Sequence, residues 1–363
     1  MHHLSPLRRA AGFSLIELMI GLVIGMLAIV VMMQVFSTSE SYKRTTTGGD
    51  DAQSNGAIAM YSVQRDLQQS GFGITALQVV GCNLLLRTGV TLNAMAPATI
   101  NHAGIPSTAR DNNTDTLVLF YGNGNGAAEG ERVEAQPATN TYTVAAAAVS
   151  AAASAAFSAG DFVIAEPSPR PSTCNLSLGT VASIAGANVT VSGAGMAGVS
   201  GGTVYNLGPR RPKALVYAVY QGNLTVCDYG VDDCGLSSNV GNPAVWVPIV
   251  SNVVSLRAEY GRNTLSLVTG PVDTWDQATP TTPCQWARTS AVRFVLVARS
   301  ATYDKNDQRL ATISAPAWAS TAAPITLSGD ADWQHYRYKT FQTVVPLRNT
   351  AWQTQQARSP GGC

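Results

Sequence analysis

The sequence predicts an α+β protein: one long N-terminal helix, membrane-spanning in its first half, packed on a mainly antiparallel β-sheet domain with long loops. Three patterns predict it. Residues 18–36 are 19 consecutive uncharged positions, mostly Ile, Leu, Val and Met, and at about 1.5 Å per residue they nearly span a ~30 Å hydrocarbon core. Ala57, Met60, Val63 and Leu67 then form an apolar stripe at helical spacing, flanked by Gln64, Arg65, Asp66, Gln68 and Gln69. From Phe72 onward the apolar runs are short and bounded by Gly, Asn, Ser and Pro, as strands and turns require.

The helix is expected from about Ser14 to Gln69, with Gly71 as its C-cap. Gly48-Gly49 should bend or loosen it midway, because each glycine costs a helix about 1 kcal/mol relative to alanine. Strands are expected at "DTLVLFYG" (115–122), "GDFVIAE" (160–166) and "ANVTVSG" (187–193). "KALVYAVYQGNLTVC" (213–227) reads as a hairpin around Gln221-Gly222-Asn223. In "VVSLRAEYG" (253–261), Val254, Leu256, Ala258 and Tyr260 alternate with Ser255, Arg257 and Glu259, which predicts one buried and one solvated face. "AVRFVLVARS" (291–300) is apolar enough for burial on both faces. "YRYKTFQTVVPLRN" (336–349) is a closing strand that Pro346 ends or holds at an edge. The alanine-rich stretch 145–160 favours a short helix by propensity. No internal repeat is seen, and no linker divides residues 72–363.

Of 363 residues only 12% are charged, and the formal charge is +1; soluble proteins carry about a quarter. That balance offers no basic field for nucleic acid, which is not an expected partner. Six cysteines without metal-type spacing are disulfide-capable in an oxidising compartment. Cys227 and Cys234 in "CDYGVDDC" are expected to close a local disulfide, while Cys82, Cys174, Cys284 and Cys363 permit three full pairings between which spacing does not choose. Gly122, Gly124 and Ala127 fit G-x-G-x-x-A after a strand, but no helical stripe follows and position 147 lies in an alanine run, so "GNGNGA" reads as a surface loop. Neither His102 nor His335 sits in a nucleophile or zinc motif, and no enzyme activity is expected. Asp228, Asp232 and Asp233, like Asp304, Asn306 and Asp307, do not fit the EF-hand pattern and read as solvated acidic turns. No metal and no cofactor are expected.

One residue breaks the apolar segment. Glu17 lies near its start, where a carboxylate in a spanning helix costs on the order of 2.5–3.5 kcal/mol and usually has a named partner. Arg8 and Arg9 precede the run, so the N-terminus should stay in the cytoplasm while everything after Phe36 is exported. The residues after the run, "MMQVFSTSES", lack a small-x-small cleavage site. A cut between Gly12 and Phe13 would instead place a new α-amino group four residues before Glu17, and the two charges could neutralise each other.

"GFSLIELMIGLVIGML" resembles the class III signal of type IV prepilins and pseudopilins, matching it without departure from Gly12 to Leu18. The order of "SLRAEYG", "VRFVLVARS" and "FQTVVPLRN" is similar to the PilW family of minor pilins. The resemblance implies a pilin-like fold, cleavage by a prepilin peptidase between Gly12 and Phe13, and N-methylation of Phe13. It further implies a leader (1–12), a transmembrane and filament-core helix (13–36), a periplasmic half of the helix (37–70) and a globular β-rich pilin domain (71–363). The 23 basic and 22 acidic side chains would become 21 and 22 on leader removal. Expected partners are the prepilin peptidase, other minor pilins, the major pilin and the bacterial inner membrane. The implied role is initiation of pilus assembly at or near the tip, with Glu17 as the docking charge of assembly. A GspJ-like minor pseudopilin of a type II secretion system and a pilus-associated adhesin module are the alternatives.

Overall fold

A computed structural model describes residues 12, 14–74, 76–124, 130–145, 156–193, 195–264, 271–304, 314–321, 323–327 and 330–350. The chain divides into two compact units, Met1–Asp50 and Asp51–Cys363. Helix α1 (Leu15–Gln69) contributes to both and continues through Gly48-Gly49. In the first unit, the large side chains from Leu15 to Phe36 are exposed, and the stretch Leu15–Glu40 is long and apolar enough to cross a membrane.

In the second unit the same helix is amphipathic. Ala52, Ala59, Val63 and Leu67 are fully buried, whereas Ile58 and Tyr61 are exposed. Its last turn is closed by side chains as well as backbone. Ser70 Oγ donates to the Leu67 carbonyl (2.7 Å), and the Asn349 amide donates to the carbonyls of Gln69 (3.1 Å) and Ser70 (3.0 Å). These bonds supply partners to carbonyls that a helix end leaves open. Gly71 follows in the left-handed region (φ 83°) and donates its N–H to Phe120 O.

At Gly56 the helix packs tightly on the last sheet, since a Cβ there would overlap the Phe341 ring. Gly56→Ala should therefore destabilise the fold. The gain of about 1 kcal/mol in helix propensity is smaller than the ~1–3 kcal/mol typical of overpacking. Thermal melts of Gly56→Ala alone and with Phe341→Leu check this. The double variant should recover part of the loss, and a stabilised single variant would refute the contact's role.

Eighteen strands follow among the described residues. β1 (Asn83–Arg87) and β2 (Val90–Leu92) form a hairpin, and β3 (Ala98–Ile100) and β4 (Leu117–Tyr121) pair antiparallel. β5 (Glu131–Ala138), β6 (Thr141–Val144), β7 (Phe162–Glu166), β9 (Gly179–Ala185), β10 (Asn188–Val191) and β11 (Thr203–Gly208) close into a six-stranded barrel. β8 (Asn175–Ser177) lies outside it and pairs in parallel with β1. β12 (Lys213–Tyr220), β13 (Asn223–Asp228) and β14 (Val247–Ser251) complete a five-stranded sheet of order β14-β13-β12-β4-β3. β15 (Val253–Arg262), β16 (Thr274–Asp276), β17 (Thr289–Arg299) and β18 (Tyr338–Pro346) form the last sheet, of order β16-β15-β17-β18. A short helix α2 (Pro283–Ala287) precedes β17.

The central strands β4 and β12 of the five-stranded sheet are buried on both faces, and period two divides their side chains between two cores. Leu117, Leu119, Tyr217 and Val219 join α1 and the last sheet in one cluster. Val118, Phe120, Val216 and Ala218 face the β1–β2 hairpin and β8 in another. The barrel encloses a third, with Val133, Tyr142, Val163 and Val204.

Several expectations change here. Ser255 and Glu259 are buried rather than solvated, because residues around Gln277 and Ser320–Ala323 cover that face of β15. The segment 131–144, not among the expected strands, supplies two barrel strands. The short helix expected over 145–160 falls mainly on 146–155, outside the described residues, and 156–160 is not helical. The 213–227 hairpin turns on Gln221 (φ 49°) and Gly222 (φ 70°), a two-residue turn whose backbone twist suits paired strands.

His102 lies in a tight loop after β3. Its Nδ1 accepts from Gly104 N–H (3.0 Å), so Nε2 carries the proton and donates to Asn93 O (2.7 Å). Burial pushes its pKa below the ordinary 6.5. The unfolded chain then takes up a proton as pH falls through about 6.5, whereas the folded chain resists until its lower pKa. Stability should fall across that window, and His102→Gln should flatten the slope in urea titrations between pH 7 and 5. An unchanged slope would refute the assignment.

Candidate functional site

The helix start is built from a short local pattern. Ser14 is the N-cap: its carbonyl accepts from Leu18 N–H (3.2 Å), and its own N–H donates to Glu17 Oε2 (3.1 Å). A side chain at the third helical position reaching back to the cap N–H is half of a capping box. Glu17 also places negative charge at the positive end of the helix dipole. The S-x-x-E spacing in "SLIE" carries this cap, which gives Glu17 a partner beyond the expected α-amine. One carboxylate oxygen has a local partner whatever the second one meets.

Gly12 is exposed, and a Cβ there would meet no heavy atom within 4 Å. Nothing in this chain's own packing asks for glycine at that position. Phe13, Arg8 and Arg9 lie outside the described residues, so the distance from Phe13 to Glu17 is not part of the geometry.

Within the second unit, a buried carboxylate fastens the helix to the sheet. Asp66 Oδ2 accepts from the Tyr217 hydroxyl (2.5 Å), and Oδ1 accepts from Arg65 Nε (3.0 Å). Asp66 is 2% exposed. Burial, with Asp66 beside it, raises the Tyr217 hydroxyl far above its ordinary pKa, so it remains a donor. No sequence pattern pairs residues 66 and 217. Asp66 looked like one more polar flank of an amphipathic helix.

Cys227 and Cys234 are bonded, joining the end of β13 to its following loop. Asp228 pairs with Lys213 (2.7 Å) and accepts from Gly230 N–H (3.2 Å), and Asp233 accepts from Gly235 N–H (3.0 Å). These acids close turns instead of converging. Among the described residues no group of three metal-capable side chains is found. Asn306 and Asp307 lie outside the described residues. Cys82 bonds Cys174. Cys284 is also disulfide-bonded, and Cys363 lies outside the described residues. His335 stacks on Tyr303 (4.4 Å), with Nδ1 2.7 Å from Asp304 O, a packed histidine.

Residues 226–349, from β13 to the end of β18, match the family model of PilW, type IV pilus-assembly protein W. Residues 7–33 match the prokaryotic N-terminal methylation motif. The match to PilW thus stands behind a match to the methylation motif in one chain. The methylation motif implies processing by a prepilin peptidase and assembly with other pilins. Among solved structures it is similar to the type IV-like pilin TTHA1219 from Thermus thermophilus, at 12% identity and a TM-score of 0.32, covering 82% of this chain and 96% of that one. No curated protein matches the chain. The PilW match contains the Cys227–Cys234 loop and the whole last sheet, while the barrel lies ahead of it.

Proposed function

We propose that the protein is a minor pilin of a type IV pilus that helps initiate assembly and sits at or near the tip. A prepilin peptidase cuts between Gly12 and Phe13 and methylates the Phe13 amine. Before assembly, residues 13–36 anchor the chain in the inner membrane with the β-rich unit in the periplasm. The observation that carries this reading is the joining of the Gly12–Phe13…Glu17 signal to a PilW domain in one chain. The glycine preference fits a peptidase closing over an exposed peptide bond, since packing does not explain it. The PilW match favours a pilus over a type II secretion system for the same signal. Mass spectrometry of the protein from its native host tests the processing step. The expected terminus is N-methylated Phe13, and an intact Met1 would overturn the reading.

Two variants separate capping from docking at Glu17. Glu17→Gln keeps an acceptor for Ser14 N–H but loses the charge, whereas Glu17→Ala loses both. If the charge docks a neighbouring Phe13 amine, both variants should be cleaved normally and drop out of purified pili about tenfold. Wild-type incorporation of Glu17→Gln would assign the residue to helix capping instead.

A further inference from the structure

We propose that the β-rich unit carries a binding site for a neutral saccharide, at the end where the β12–β13 turn meets β15, β17 and β18. A cavity of about 330 Å³ opens there, within the roughly 300–1,000 Å³ range of small-molecule sites. Its floor is made by an irregularity in an otherwise regular ladder. Val253 pairs with Ala298 and Ser255 with Val297, which leaves Val254 as an extra residue lining the cavity. A bulge of this kind re-aims a side chain and is common beside functional sites.

The walls are held in uncommon conformations. Asn113 (φ 59°) lines the cavity, and Gln221 (φ 49°) and Asn252 (φ 59°) lie within two residues of the lining residues Gly222 and Val254; all three are non-glycine residues in the left-handed region. Such residues cluster where surrounding structure enforces a functional geometry. Asp111 is one enforcer, since its two carboxylate oxygens accept the N–H groups of Gln221 (2.8 Å) and Gly222 (2.9 Å).

Arg299 supplies the most direct sign of a missing partner. Its guanidinium lies over the Tyr336 ring (4.3 Å) and reaches Asp330 at 3.3 Å, yet its Nε is buried with no hydrogen-bond partner among the described residues. A buried unsatisfied donor calls for an explanation. Beside it stand the exposed side chains of Asn112 and Asn113 and two aromatic residues, Trp333 and Tyr338. The Tyr338 hydroxyl already donates to Trp333 O (2.7 Å), so this residue offers the cavity a ring rather than a donor.

Amides, a carboxylate and a guanidinium at close spacing match the vicinal hydroxyls of a sugar, each both donor and acceptor. Aromatic rings match the C–H face of a pyranose. A wholly apolar ligand would bury Arg299 and the amides unpaired, which is costly. Asp111 and Asp330 outnumber the one guanidinium, which disfavours an anion. The site lies in residues 111–338 and does not depend on how the N-terminus is processed.

The full-length, detergent-solubilised protein should be tested on an array of immobilised neutral hexose, N-acetylhexosamine and sialylated glycans. Binding to neutral glycans is expected, weakened at least tenfold by Trp333→Ala and by Arg299→Lys, which keeps the charge but removes the Nε donor. Asn112→Ala, at an exposed loop position, gives the same readout where another variant lowers the melting temperature. The proposal is overturned if no glycan binds, if binding is confined to sialylated glycans, or if neutral binding is unmoved by the variants.

Discussion

Glu259→Ala lowers the stability of the β-rich unit by about 3–5 kcal/mol, the cost of leaving one member of a buried ion pair alone. Glu259 on β15 is fully buried and lies directly opposite Arg293 on β17, whose guanidinium stands 2.5 Å from Oε2. The Ser320 hydroxyl donates to the other carboxylate oxygen. The Arg293 guanidinium also lies near the rings of Trp275 (4.8 Å) and Trp318 (5.4 Å). Arg293→Leu should cost a similar amount, because it leaves a fully buried carboxylate without its cation. The double variant Glu259→Met/Arg293→Leu should be far less destabilised than the sum of the singles, since an apolar pair of similar volume removes both desolvation costs. Urea unfolding followed by tryptophan fluorescence measures all three. Single-variant losses below about 1 kcal/mol would mean that the pair is solvated.

The two disulfides formed between described residues should differ in worth. Cys82–Cys174 closes a loop of sequence separation 92, and Cys227–Cys234 closes one of 7. Constraint of the unfolded chain scales with the logarithm of loop length, giving about 4–5 kcal/mol for the first and about 2 kcal/mol for the second. The long one has a further task. Asn83 N–H donates to Cys174 O (2.9 Å), and β1 and β8 run parallel immediately after the two cysteines. Parallel pairing between strands so far apart must meet a large closure entropy, and the disulfide removes most of it. Paired serine replacements at 82 and 174 should lower the urea midpoint about twice as much as those at 227 and 234. Equal shifts would refute the loop-length account.

How far each feature could be read in advance follows from how local its cause is. The apolar run, the hairpin at Gln221-Gly222 and the strands at 117–121 and 289–299 come from runs of side chains that state their own period. The strand over 253–262 was legible as a strand, but the polarity of Ser255, Arg257 and Glu259 misled about its outer face. Ser255 and Glu259 are buried and Arg257 is half-buried; Ser320, Asp115 and Ala323, far along the chain, supply partners to Glu259 and Arg257, and alternation within one strand carries no record of them. Barrel strand β5, "ERVEAQPA", has a single buried residue, Val133, and almost no apolar signal. Barrel closure, not side-chain preference, makes it a strand.

The N-terminal signal was open to reading because a processing enzyme and a bilayer both respond to consecutive residues: two arginines, a glycine–phenylalanine junction, one acid and an apolar stretch. The helix cap at Ser14 and Glu17 belongs with them, since both partners lie within one turn. The partner of Cys82, the Asp66–Tyr217 clasp, the burial of Glu259 and the cavity beside Arg299 join residues tens to hundreds of positions apart. Their energies exist only once the chain has closed, so composition and period could offer the groups but not their pairing.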